Sequence, residues 1–319
     1  MKTQAEWRQQ KILITGGKGF LGSKLIKKLI KKGIPNKNII TFSSSEHDLR
    51  KNSQCIKVVK NIDVVIHLAA KVGGIGYNKE NPATLFYDNT IMSIQLMEAA
   101  RLAGVKKFVT IGTICSYPNL TPVPFREDDL WKGYPEKTNA PYGLAKKILL
   151  TQSQAYRQQY GFNAIYLMPV NLYGPGDNFD PKQSHVIPAL IKKISEAIKN
   201  NEDSITVWGD GSASREFLYV EDAAEAIALA TEKYNQPEPV NLGSGFEIKI
   251  KNLVNLICLL MDYHGKIIWD KSKPNGQPRR KLDVSRAKKE FGFTSKTDFK
   301  KGLAKTIRWY QQQAKINRA

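Results

Sequence analysis

Tyr142 and Lys146 stand four residues apart in Tyr142-Gly143-Leu144-Ala145-Lys146. On a helix that spacing sets a phenol and an ammonium on one face. A free phenol loses its proton near pH 10 (about 10), and a neighbouring cation favours the phenolate. The pair therefore suits proton transfer. Many exposed helix faces carry the same spacing, so it gains meaning only beside a second feature. That feature is Gly16-Gly17-Lys18-Gly19-Phe20-Leu21-Gly22, with glycines at 16, 19 and 22. The run at 11–15 (KILIT) before it reads as a buried strand, and a helical pattern follows over about 21–32. Glycine lets a backbone turn tightly and approach a pyrophosphate with no Cβ in the way. The helix start then offers unpaired N–H groups and a positive dipole end. Strand, glycine loop and helix together predict a dinucleotide site over residues 16–22.

Cofactor choice turns on the end of the second strand, expected over 39–42. An NAD site usually places an acid there for the ribose 2′-hydroxyl. Here the chain reads Ser43-Ser44-Ser45, with no acid until Glu46. Ser43 and Ser44 hydroxyls can donate to a 2′-phosphate and Lys18 can supply charge, so NADP(H) is expected. The same serines also fit an ordinary loop with mixed specificity. Gly112-Thr113 closes a further strand, where the Thr113 hydroxyl can polarise a carbonyl alongside Tyr142.

These groups must be held by a sheet. Apolar runs predict strands at 11–15, 39–42, 63–68, 107–111 and 164–168, and helices over about 21–32, 82–103 and 142–160 fall between them. Alternation of this kind predicts an α/β fold with a Rossmann-type doubly wound parallel sheet covered on both faces. Beyond Asn171 the rhythm weakens. A helix near 186 is expected, then strands at 205–208, 240–242 and 266–269 and helices over 221–234, 249–263 and 301–313. The reading is a dinucleotide-binding domain over 1–178 plus about 216–242, and a smaller α/β substrate domain from about 179–215 and 243–319.

Composition narrows the function classes. The 319 residues are 41% hydrophobic and 24% charged, ordinary for a soluble globular protein. Cys55, Cys115 and Cys258 are odd in number and lack metal-ligand spacing, so neither a disulfide framework nor a metal site is expected, and a reducing cytoplasm fits. The polar residues 1–10 hold no signal-peptide stretch, and no run reaches the length of a membrane span. The net charge is +20, which favours anionic partners. The lysines are spread along the chain, as at Lys24, Lys27, Lys28, Lys31 and Lys32, with no nucleic-acid-binding pattern. Phosphorylated small molecules are the expected anions, and neither nucleic acid nor membrane is.

The glycine loop, Leu68-Ala69-Ala70, Thr113 and Tyr142-x3-Lys146 resemble, in that order, the extended short-chain dehydrogenase/reductases. Further segments resemble the GDP-L-fucose synthase family. They are Ala69-Ala70-Lys71-Val72-Gly73-Gly74-Ile75, Cys115-Ser116-Tyr117-Pro118, Asn139-Ala140-Pro141-Tyr142, Asn171-Leu172-Tyr173-Gly174-Pro175, Asp177-Asn178-Phe179 and the run 184–190 (SHVIPAL). Trp208-Gly209, Arg215-Glu216-Phe217-Leu218 and Leu282-Asp283-Val284 resemble it too. The resemblance covers about residues 11–310.

It implies 3,5-epimerisation of GDP-4-keto-6-deoxy-D-mannose followed by NADPH reduction of C4. It casts Cys115 and His185 as the acid/base pair, and Thr113 and Tyr142 as holders of the C4 oxygen. Lys146 would bind the nicotinamide ribose and lower the Tyr142 pKa. Ala69, Ala70, Ile111, Gly112, Pro169, Asn171, Leu172 and His185 would line the dinucleotide. Lys193, Trp208, Arg215 and Asp283 would hold the GDP-sugar. By residue type alone Cys115 is equally a buried small hydrophobe, His185 a helix-start residue, Trp208 core packing and Asp283 an N-cap. The chain departs from the family pattern at Thr113 (serine is common), Ser116 (an aliphatic residue), Lys193 (arginine), and Lys18 with residues 43–45 (arginines). A homodimer through the helices 84–103 and 142–160 is expected. The alternatives are a relative acting on a GDP-heptose or dideoxy sugar, and a nucleotide-binding sensor without catalysis.

Overall fold

In the computed structural model, residues 4–316 are described except 182 and 274. The terminal residues 1–3 and 317–319 of the two expected domains lie outside that range. A short helix α1 (Gln4–Gln9) precedes strand β1 (Ile12–Thr15) and helix α2 (Phe20–Lys31). Then come β2 (Ile39–Ile40), α3 (Asn52–Val58), β3 (Val64–His67), α4 (Ile75–Glu80), α5 (Pro82–Leu102), β4 (Lys107–Ile111), α6 (Ala140–Tyr160) and β5 (Ala164–Pro169).

The strands pair in the order β2-β1-β3-β4-β5-β9, all parallel, with β9 (Val240–Leu242) reached later in the chain. Every residue of β1 and β3 is buried, because helices cover both faces. Successive side chains on a strand point to opposite faces. Ile12 and Ile14 accordingly pack with Leu25 and Leu29 of α2, while Leu13 packs with Leu96, Met97 and Ala100 of α5. From β1 the chain order runs one way to β2 and the other to β3. Such a reversal opens a crevice at the carboxyl ends of the strands.

The remaining elements are β6 (Asn171–Tyr173), α7 (Val186–Asn200), β7 (Ser204–Trp208), β8 (Ser214–Tyr219), α8 (Val220–Lys233), the strand β9 given above, β10 (Glu247–Lys249), α9 (Ile250–Met261), β11 (Lys266–Asp270), β12 (Arg279–Arg280), α10 (Ser285–Phe291) and α11 (Phe299–Ile316). β8 is flanked by β10 and β12 and also pairs β6, while β7 pairs β11. A separate apolar cluster joins Ile187, Ile191 and Ile194 of α7 to Leu253 and Ile257 of α9 and Leu303 of α11. Strand β2 stops two residues short of the expected 42. The elements α1, α3, α4, α10, β6, β8, β10 and β12 were not anticipated by pattern. Most are short, and β8 (SREFLY) carries two charged residues, Arg215 and Glu216, in a run buried at every position but Arg215.

Candidate active site

Gly16 has φ +70°, and a Cβ there would lie 3.0 Å from the Ala69 nitrogen. A Cβ on Gly22 would come within 2.3 Å of the Gly16 carbonyl oxygen. Only glycine therefore lets Phe20 and Leu21, the first turn of α2, press against the loop. The Ala69 N–H donates to Thr15 Oγ1 at 3.2 Å, and Thr15 Oγ1 shares a 2.7 Å hydrogen bond with His67 Nδ1. His67 Nε2 lies 2.8 Å from Ser93 Oγ. Burial pushes His67 down to about 3, so this relay is neutral and ties the ends of β1 and β3 together. Ala69 and Ala70 thus stand against the glycine loop, and Ile111 and Gly112 end β4. A Cβ on Gly112 would strike the Tyr166 ring at 2.4 Å. Pro169 ends β5, while Asn171 and Leu172 begin β6, with Asn171 Nδ2 donating to the Glu216 carbonyl at 3.2 Å.

Lys18 is not free for a phosphate. Its Nζ donates to Glu46 Oε2 at 2.8 Å, and the Ser43 N–H and Oγ donate to the same oxygen at 2.5 and 2.7 Å. Ser44 lies in the same exposed loop.

Helix α6 begins with Ala140-Pro141, where proline's missing N–H is no loss, and ends at Gly161 in the left-handed region, φ 65°. Its first turn is pressed onto the 3-10 turn at Ile114–Ser116. A Cβ on Gly143 would sit 2.4 Å from the Cys115 carbonyl oxygen, and Ser116 Oγ donates to the Gly143 carbonyl at 2.8 Å. This clamp brings Tyr142 beside Thr113 and Cys115. Thr113 Oγ1 accepts the Cys115 N–H at 3.2 Å. Cys115 is half-buried rather than a core thiol, and Arg280 Nη1 donates to its Sγ at 3.7 Å.

Tyr166 anchors the next turn, its hydroxyl donating to the Lys146 carbonyl at 2.9 Å. Lys146 is only 2% exposed. No described residue hydrogen-bonds or ion-pairs its ammonium, and burial lowers its pKa to about 8. The expected lowering of Tyr142 by Lys146 is not found. Burial, and then Cys115, push the phenol upward, because removal from water disfavours the phenolate. A protonated Tyr142 is a donor.

His185 precedes α7 and makes no side-chain cap bond. Its side chain is exposed, yet protein packed around it disfavours the imidazolium and lowers its pKa. The Gly74 N–H donates to the Gln183 carbonyl at 3.0 Å, and Asn78 Nδ2 donates to Asn139 Oδ1 at 3.1 Å. Residues 74–78 therefore strap the His185 loop to the start of α6. In that loop Asp177 Oδ2 is buried without a partner among the described residues, and burial raises its carboxyl to about 7.

Of the four residues expected to hold the GDP-sugar, Lys193 lies on α7, Trp208 on β7 and Arg215 on β8, while Asp283 stands between Leu282 and Val284, which pack with the core of the parallel sheet. Trp208 is 58% exposed, not core. Lys193 Nζ donates to the Thr206 carbonyl at 2.5 Å and lines an open cavity of about 570 Å³ between α7 and β7. Arg215 Nη1 donates to the Ser214 and Gln277 carbonyls and Nη2 to that of Asn275. Burial, helped by Arg280, lowers Arg215 to about 10. Behind it, fully buried Glu216 accepts the N–H groups of Leu282 and Gly245, each at 2.7 Å. Asp283 accepts the Ser285 N–H at 2.9 Å, and the Ser285 side chain together with that N–H holds its carboxyl below the usual range. It therefore also shapes the entry to α10. Sequence reasoning missed Arg280, Asp177 and Glu46. Glu46 left a signal as the first acid after β2, and Asp177 stood in the family-like segment 177–179, though neither was given a role.

A dinucleotide fits these residues. The glycine cradle has no room for side chains, and Lys146 offers a buried ammonium with no partner among the described residues, suited to ribose hydroxyls. Over residues 12–243 the chain matches the NAD dependent epimerase/dehydratase family, and it belongs to that family. Among its relatives, it is 38% identical to GDP-L-fucose synthase 1 of Arabidopsis thaliana over 306 residues, 95% of this chain and 94% of that protein. It is 36% identical to the GDP-L-colitose synthase of Yersinia pseudotuberculosis over 305 residues, 94% of this chain and 97% of that one. The crystal structure of a GDP-L-fucose synthetase from Naegleria fowleri bound to NADP has a TM-score of 0.87, at 27% identity, covering 97% of this chain and 96% of that chain.

Proposed function

We propose that this chain epimerises C3 and C5 of GDP-4-keto-6-deoxy-D-mannose and reduces the C4 ketone with NADPH, yielding GDP-L-fucose. The observation that carries this reading is the Ser116–Gly143 clamp, which joins Thr113, Cys115 and Tyr142 beside the buried ammonium of Lys146. Protons next to a ketone become acidic as an enolate forms. Cys115 and His185 exchange them on opposite faces of the ring. Thr113 and Tyr142 hold the C4 oxygen, and Tyr142 delivers its proton there. Lys146 holds the nicotinamide ribose. Bound NADPH supplies the hydride. Lys193, Trp208, Arg215 and Asp283 hold the GDP-sugar, Arg215 through charge-assisted bonds to the diphosphate.

The parallel sheet, with β9 included, forms the cofactor domain and the second apolar cluster the substrate domain. The protein works in the cytoplasm as a homodimer through α5 and α6. Support for that pairing comes from half-exposed Ile91 on α5 and Ile148 on α6. A dideoxy GDP-sugar is the second reading, favoured by the similarity to the colitose synthase.

The test is turnover of GDP-4-keto-6-deoxy-D-mannose in heavy water, followed by NADPH absorbance and chiral analysis of the product. One NADPH is consumed per sugar, with deuterium at C3 and C5. Cys115→Ser slows deuterium uptake about 10²-fold and leaves the NADPH dissociation constant within about twofold. Reduction without deuterium would leave a plain ketoreductase.

A further inference from the structure

We propose that Glu46 is an internal anion seated in the 2′-phosphate subsite, so that the chain selects between NADPH and NADH by whether its own carboxylate is displaced. The proposal rests on the dinucleotide reading above and deepens it.

Three donors, Lys18 Nζ, the Ser43 N–H and Ser43 Oγ, converge within 2.8 Å on one oxygen, Glu46 Oε2. They come from two loops at the carboxyl ends of adjacent parallel strands, paired in register Ile12↔Ile39 and Leu13↔Ile40. The loops are pressed together, since a Cβ on Gly17 would lie 2.2 Å from Thr41 Oγ1. In folds of this kind the end of the second strand faces the adenosine ribose. An ammonium, a backbone N–H and a hydroxyl aimed at one point are what a phosphate oxygen takes as partners. Ser45 Oγ, 2.8 Å from Ser43 Oγ, adds a further hydroxyl beside them.

Glu46 is ionised in this nest, its carboxyl brought down to about 2 by Lys18 and Ser43. Its side chain and that of Lys18 are exposed, and no other described residue bonds the carboxylate. It is therefore free to swing out. A cofactor with a 2′-hydroxyl leaves Glu46 in place and donates to it. A 2′-phosphate repels the carboxylate, expels it and inherits its three donors. The preference for NADPH is thus reduced by the work of displacing Glu46.

Calorimetric titration of the whole protein with NADPH, NADH, adenosine 2′,5′-bisphosphate and AMP tests this without turnover. Glu46→Gln keeps the shape and removes the charge. It should tighten NADPH and the bisphosphate about tenfold while NADH and AMP hold steady or weaken. Lys18→Met should weaken NADPH about tenfold and leave NADH within about twofold. If the wild type binds both dinucleotides and Glu46→Gln shifts them equally or not at all, the displacement model is wrong and the dinucleotide reading survives. Binding of neither dinucleotide by the wild type removes both.

Discussion

Lys146 carries an ammonium into an apolar setting where no described carboxylate answers it. Its pKa is 10.5 when unfolded and about 8 in the fold. Between those values the unfolded chain binds more protons, so stability rises with pH across that window, and below pH 8 the full burden is present. Lys146→Met should therefore stabilise the ligand-free protein by about 2 kcal/mol at pH 7, with the gain gone by pH 10.5. Urea unfolding at both pH values measures it, and NADPH should protect the variant less than the wild type. A variant less stable than wild type at pH 7 would mean that the ammonium is not strained. Such strain is characteristic of a group held ready for a ligand. Tyr142 shows the converse: burial keeps the phenol protonated, which suits a donor to a ketone oxygen.

The junction between α6 and the turn at 114–116 sets two propensities against each other. Alanine is the better helix former by about 1 kcal/mol, which by itself would make Gly143→Ala stabilising. Its Cβ, however, would lie 2.4 Å from a backbone oxygen of Cys115, which can move only with the turn. Overpacking of this kind costs about 1–3 kcal/mol, so the net change is destabilising. Because the turn carries Cys115 and Thr113, kcat should fall more than KM rises, as denaturant midpoints and steady-state kinetics will read. Unchanged kcat would mean that the turn relaxes without moving its side chains. The local pattern around this junction was legible in the sequence. The glycine loop, the continuous apolar runs of β1, β3, β4 and β5, and the pairing of Tyr142 with Lys146 all speak through neighbours a few residues apart. Arg280 approaches Cys115 across 165 residues, and no local pattern encodes that. Strand β8 hid for a related reason, since Arg215 and Glu216 break its apolar run. Lys18 was visible as a donor and Glu46 as the first acid after β2, but the bond between them was not.

The net charge is +20, and part of the positive charge is paired between helices distant in the chain. Lys28 and Lys32 on α2 reach Glu225 on α8 at 3.0 and 3.5 Å, while most other lysines face solvent. A chain so basic repels its copies, so an assembly must be held by apolar contact. Sedimentation at moderate salt should give twice the chain mass, and Ile148→Glu on α6 should return the monomer with its fold intact by circular dichroism. A wild-type monomer would remove the proposed pairing of α5 and α6. Further from that face, Glu216 acts as a bolt through the sheet, gripping main-chain amides at 245 and 282. Neighbouring side chains on a strand look in opposite directions. The direction in which Arg215 looks is therefore decided on the dry side of β8, by a carboxylate that nothing dissolved in the cleft can touch.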